Sequence, residues 1–126
     1  MSRTDAILAE LQLEALAQTS ARAIGLGTGR LVEVARALAA QPSVLLLDEP
    51  SSGLDADETA ELAATLRRVR DHEGVALVLV EHNVDMVLGL ADTVTVLDFG
   101  RVIATGTPAE VRGHAAVQAA YLGATS

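Results

Sequence analysis

The sequence has 126 residues, half of them hydrophobic, which suits one domain with a sizeable core. Its formal net charge is −8 and its nine basic residues are all scattered arginines, a pattern that excludes the clustered basic surface needed for nucleic acid. With neither cysteine nor lysine, the chain holds no disulfide framework, no thiolate metal site and no Gly-Lys-Ser/Thr phosphate loop.

No apolar run approaches the roughly 18–20 residues of a membrane span. The opening Met1-Ser2-Arg3-Thr4-Asp5 leads into a helix-like segment and not a signal peptide, so a cytoplasmic protein is expected. Phe99 and Tyr121 are the only aromatics, so the core is expected to be Leu, Val, Ala and Ile.

Thr4 to Ala17 reads as an amphipathic helix, with an apolar stripe of Ile7, Leu8, Leu11, Leu13 and Leu16 and capping chemistry from Thr4 and Asp5. Gly25-Leu26-Gly27-Thr28-Gly29 reads as a glycine-rich turn before a helix from Arg30 to Ala40. In that helix Leu31, Val34, Ala35, Leu38 and Ala39 recur at helical spacing until Pro42. Such a turn is either a plain connection or a place where backbone N–H groups approach an anion, helped by the helix dipole.

Val44-Leu45-Leu46-Leu47 runs straight into Asp48 and Glu49, and Pro50 stops it. A short continuous apolar run bounded by a breaker suits a strand buried on both faces of a parallel sheet. Its acids then stand at the carboxyl end, where open α/β sheets place ligands. Neighbouring residues point to opposite sides of a strand, so the two acids can take separate tasks. One can help to hold Mg²⁺ through water while the other orients or deprotonates an attacking water; the alternative is two solvated acids before a turn.

Ser51-Ser52-Gly53 makes a loop, and Asp55 can cap a helix over about Ala56 to Asp71. Gly74 ends it. Val75 to Val80 is a second apolar strand, closing in Glu81-His82-Asn83, and strand–helix–strand order implies a right-handed βαβ unit. His82 then shares the sheet rim with Glu49, where the pair can polarise a water or a phosphate; alternatively His82 caps the next helix. His72 and His114 read as ordinary surface residues. Val84 to Leu90 reads as a helix and Thr93 to Leu97 as a strand. Asp98-Phe99-Gly100 turns into Arg101 to Thr105 as a hairpin. Thr107 and Pro108 start another helix, and a last helical piece covers about Ala115 to Leu122.

The order of these signals resembles the ATP-binding cassette (ABC) ATPase. Gly25-Leu26-Gly27-Thr28 stands where that family has its signature motif, Asp48 and Glu49 match the Walker B pair, Ser51 to Asp55 the D-loop, and His82 the switch histidine. The ATP-binding subunits of branched-chain amino acid importers are the nearest flavour, through residues 26–33, Glu81 to Met86 and Ala120-Tyr121-Leu122-Gly123. The resemblance implies an α/β fold with a parallel-sheet, P-loop NTPase-like core lacking its N-terminal (P-loop) half, followed by a C-terminal β-hairpin and helices. Residues 1–24 would be the end of the helical subdomain, 25–41 the signature turn and helix, and 42–126 the stretch from Walker B to the C-terminus.

It further implies that Asp48 helps to hold Mg²⁺, Glu49 polarises the attacking water and His82 contacts the γ-phosphate of ATP. Asp55 would lie between two cassettes, and Gly25 to Thr28 would close on a nucleotide held by a second ATPase subunit, in a homo- or heterodimer. The family's usual Ser-Gly is replaced by Gly25-Leu26, and the lost hydroxyl removes one phosphate hydrogen bond worth about 1.5–3 kcal/mol. Transmembrane permease subunits are the implied partners, at the inner face of the plasma membrane. The family's P-loop and glutamine loop are not in this sequence. It is therefore expected to be a partial ATPase, inactive or nearly so without a P-loop half, or else a non-catalytic interaction module that keeps the fold. Strands 75–80 and 93–97, which flank the P-loop strand in the family, are expected to close up or to need another chain between them.

Overall fold

The computed structural model describes residues 2–122. The chain divides into two compact units, Met1–Val80 and Glu81–Ser126, each built on its own two-stranded sheet.

The first unit opens with α1 (Arg3–Glu10), capped reciprocally by Ser2 and Asp5. Helix was expected to continue to Ala17, but it stops at Leu11. Gln12 takes φ 58, Gln12 N–H donates to Ala9 O and Leu13 N–H to Leu8 O, which is the Schellman arrangement. The cause is packing. Leu11 and Leu13 are both buried, yet residues two apart point to nearly opposite sides of a continuous helix. Breaking the helix between them lets both enter one core. A short 3₁₀ turn, Glu14–Leu16, follows.

α2 (Leu26–Ala39) begins four residues before the expected Arg30, so Gly27, Thr28 and Gly29 form its first turn instead of a loop ahead of it. Leu31, Val34 and Leu38 are its buried stripe. β1 (Val44–Asp48) and β2 (Ala76–Val80) pair in parallel, Leu46 opposite Val78 and Asp48 opposite Val80, joined through α3 (Ala56–Glu73) as the βαβ reading required. Asp55 caps α3 and Gly74 closes it at φ 65, where a side chain would be strained. Leu62, Leu66 and Val69 of α3 join Leu11 and Leu38 at the centre of the core. Arg3 ties α1 to both later helices, donating to Leu38 O at 2.8 Å and pairing with Glu73 at 3.4 Å. His72, read as an ordinary surface residue, lies 2.9 Å from Glu10.

One face of this sheet is covered and the other is not. Leu45 is buried and Leu47, Leu77 and Leu79 are half-buried, whereas Leu46 is 74% exposed and Val80 57%. The continuous apolar run was expected to be buried on both faces; here only the alternate residues are.

The second unit holds α4 (Val84–Leu90), β3 (Val94–Asp98), β4 (Arg101–Gly106), α5 (Pro108–Arg112) and α6 (Ala115–Val117), the last running into a π-type turn, Gln118–Leu122. β3 and β4 form the expected hairpin, with a bulge at Val96/Leu97. Phe99 and Gly100 at its tip both have positive φ, 48 and 78, as a two-residue type I′ turn requires. Val94, Val111 and Val117 are its buried centre, and the Tyr121 hydroxyl donates to Leu97 O. His114 accepts from Ala116 N–H at 3.2 Å and so caps α6. Gly123, the last residue of the terminal motif, lies outside the described residues. Among the described residues no helix is long and apolar enough to cross a membrane.

At α5, Thr107 and Glu110 cap reciprocally. The backbone N–H of Thr107, with its hydroxyl second, holds the Glu110 carboxyl below its ordinary value of 4.5. A depressed folded value means the cap is in force above that ordinary value and is lost as pH falls through the folded one. The Thr107 amide resonance should therefore move only in the acid range below about pH 4.5, and Glu110→Gln should remove that titration.

The open apolar face makes a second expectation. Sedimentation should show self-association that Leu46→Ser with Val78→Thr diminishes; a monodisperse wild-type monomer would contradict it.

Candidate functional site

β1 ends at Asp48, opposite Val80, and the bond that closes this last pair is made by the next residue. Glu49 N–H donates to Val80 O at 2.7 Å. Glu49 has φ 47, a left-handed conformation that costs a residue with a Cβ about 1–2 kcal/mol. The ladder bond secures that turn, and the chain then folds back through Ser52 N–H to Glu49 O (3.1 Å) and Leu54 N–H to Ser51 O (3.0 Å), with Gly53 at φ 79. Pro50 and Ser51 are buried while Asp48 and Glu49 are exposed. The two acids thus stand at the carboxyl end of the parallel pair.

The loop leads to Asp55, whose carboxylate accepts from Glu58 N–H at 2.8 Å while Glu58 returns a bond from Asp55 N–H at 3.1 Å. This reciprocal cap holds the start of α3. Against it lies the first turn of α2. A Cβ on Gly27 would fall 2.3 Å from Glu58 Oε2, and one on Gly53 would fall 3.0 Å from Leu26 Cδ2. Arg30 donates to Ser52 O at 3.1 Å. The structure therefore brings Gly25 to Thr28 together with the loop ending in Asp55, around a small cleft lined by Gly27, Thr28, Leu31, Glu58, Glu61 and Leu62. Residues 48–61 carry Asp48, Glu49, Asp55, Asp57, Glu58 and Glu61 and no basic residue, so the Arg30 guanidinium is a cation brought to this acidic stretch from another element.

His82 belongs to the second unit. Its imidazole is exposed, and the Glu81 carboxyl beside it is fully buried, 3.5 Å from His82 Nδ1. Glu81 accepts the N–H groups of His82 and Asn83 at 3.1 and 3.3 Å. α4 is capped by Asn83, which accepts from Met86 N–H at 3.1 Å; the alternative reading of His82 as that cap is corrected.

Arg30, Glu58 and Glu81 were not singled out from the sequence. Glu58 was within reach of it, because Asp55-x-x-Glu58 has capping-box spacing. Arg30 was not, because its acceptor is a backbone carbonyl 22 residues away. Among the described residues no three His, Asp or Glu side chains converge as a metal cluster. Mg²⁺ typically takes one or two protein carboxylates and leaves the rest to phosphates and water. Asp48, exposed at a strand end, fits as one such ligand.

Residues 101–125 match the family described as Branched-chain amino acid ATP-binding cassette transporter. Over 107 residues the chain is 38% identical to the high-affinity branched-chain amino acid transport ATP-binding protein LivG of Salmonella typhimurium, covering 85% of this chain and 42% of LivG. BraF of Pseudomonas aeruginosa, of the same description, is 36% identical over 116 residues, or 92% of this chain and 46% of BraF. In three dimensions the chain is similar to CbiO1 of Clostridium perfringens, part of the ABC transporter complex CbiONQ. The TM-score is 0.84 at 32% identity, over 89% of this chain and 45% of CbiO1. Its relatives are ATP-binding cassette proteins.

The chain spans less than half the length of these relatives, and it resembles the C-terminal half of such a subunit. Its fold is the corresponding α/β part of a cassette. Within that part the cap at Asp55 is the local device that fixes where the loop after the two acids ends. Asp55→Ala should cost about 1 kcal/mol in urea unfolding, while Asp55→Asn, which still accepts from Glu58 N–H, should recover most of it.

Proposed function

We propose that the chain supplies the carboxylate, signature and histidine segments of an ABC importer ATPase. One observation carries this reading: Asp48 and Glu49 stand at the carboxyl end of a parallel strand pair, with the Glu49 backbone turned and tied to Val80. Anchored amide and exposed carboxylate on one residue suit a group that must hold a water still while the chain around it stays fixed.

In this reading Glu49 polarises the attacking water and His82 contacts the γ-phosphate of ATP. Asp48 is the protein ligand of Mg²⁺, which when bound neutralises phosphate charge. Gly25, Leu26, Gly27 and Thr28 face a nucleotide held by a second ATPase subunit, and Asp55 lies at the boundary between the two subunits. Permease subunits at the inner face of the plasma membrane complete the assembly, and branched-chain amino acids or similar solutes are the cargo. The likeness to LivG and BraF supports importer and solute class alike. These 126 residues contain no lysine, so the phosphate cradle belongs to residues outside them.

The test is complementation. Mixed with a separate polypeptide that carries a P-loop, the chain should restore Mg²⁺-dependent ATP turnover. Glu49→Gln should then lower turnover about 10²–10³-fold while nucleotide binding persists. Stable association without turnover would instead favour a non-catalytic interaction module.

A further inference from the structure

Two segments with separate roles in that reading are joined in the first unit by contacts the family resemblance did not supply. Arg30, one turn into α2, donates to Ser52 O. Its guanidinium is also 3.5 Å from Glu33 on the same helix, which steers the side chain along α2. Glu58, in the first turn of α3, spends one carboxylate oxygen on Asp55 N–H, and the other lies against Gly27 where a Cβ would be. Leu26 Cδ2 closes on Gly53, whose φ of 79 suits glycine. Side chains from each element thus reach the backbone of the other.

We infer that Arg30 and Glu58 are positioning residues that lock the Gly25–Thr28 turn to the Ser51–Asp55 loop, so that the two move as one body. The inference deepens the proposed function, and its role in catalysis rests on that reading; the lock itself rests on contacts inside the first unit. Gly27 is its tightest point. Only a residue without a Cβ leaves the Glu58 carboxylate in place, and that carboxylate is the far end of a flexible chain, so a methyl at position 27 would push it away from Asp55 while leaving α2 intact. The lock therefore makes a non-local statement: a change in α2 must be felt at an amide in the other segment.

Amide hydrogen exchange on the 126-residue chain reads this directly. Gly27→Ala should raise exchange at the Asp55 amide about 3–10-fold, the loss of one charge-assisted hydrogen bond. The Leu66 amide, in the core of α3, should be unmoved. Glu58→Ala should give the same rise without touching α2, and adding Gly27→Ala to it should add nothing further. Unchanged Asp55 exchange in Gly27→Ala, or additive effects in the double variant, would falsify the lock. In the complemented ATPase, Arg30→Gln and Glu58→Ala should lower kcat with little change in nucleotide affinity; a change in affinity alone overturns the positioning role. A wild-type complex without turnover defeats the proposed function and leaves the exchange result to decide the lock.

Discussion

The bond from Glu49 N–H to Val80 O is the constraint on which the first unit turns. It closes the last pair of the parallel ladder, Asp48 with Val80, at the point where the chain must leave the sheet. A glutamate with positive φ is unfavourable by itself, and a backbone bond at 2.7 Å is a sufficient reason for it to persist. The acceptor exists only because α3 carries the chain back to β2, and α3 starts only where Asp55 caps it. The acids, the loop, the helix and the second strand therefore form a closed cycle of dependence.

Polar economy follows from the same geometry. Helix starts leave N–H groups without intrahelical partners; among the described residues α1, α3 and α5 meet that need reciprocally, at Ser2 and Asp5, Asp55 and Glu58, and Thr107 and Glu110, and α4 and α6 with a single side chain, Asn83 and His114. α2 is the exception: Gly25 offers no side-chain cap. Its first turn is instead held from outside, by Glu58 at Gly27 and through Arg30 at Ser52. A glycine-rich helix start is poor in propensity and gains its order from tertiary contact.

The hydrophobic content is distributed unevenly. The first unit has a continuous core from Leu11 through Leu66, yet leaves Val44, Leu46, Val78 and Val80 open on the far face of its sheet. The second shows Leu97, Phe99 and Val102 on the hairpin. With half the chain hydrophobic and two strands per sheet, the apolar alternation exceeds what these residues cover. The relatives, more than twice as long, have further chain with which to cover such a face.

Much of the fold was legible in the residues alone, for a local reason. The strand ending in Asp48, the cap at Asp55, the βαβ order, α4 over Val84 to Leu90, the hairpin and the start at Thr107 and Pro108 are each specified by periodicity, a cap or a turn within a few positions. The adjacency of Gly25 to Thr28 with the Asp55 loop was not legible, because it joins the starts of two helices that lie far apart in the chain. Tertiary structure alone decided the break at Gln12, because Leu11 and Leu13 could not share a buried face otherwise. It alone drew Gly27 to Gly29 into a helix, left one strand face uncovered, and brought Arg30 to Ser52 and Glu58 to Gly27. Those outcomes depend on what a distant segment presents, and no short stretch of sequence carries that information.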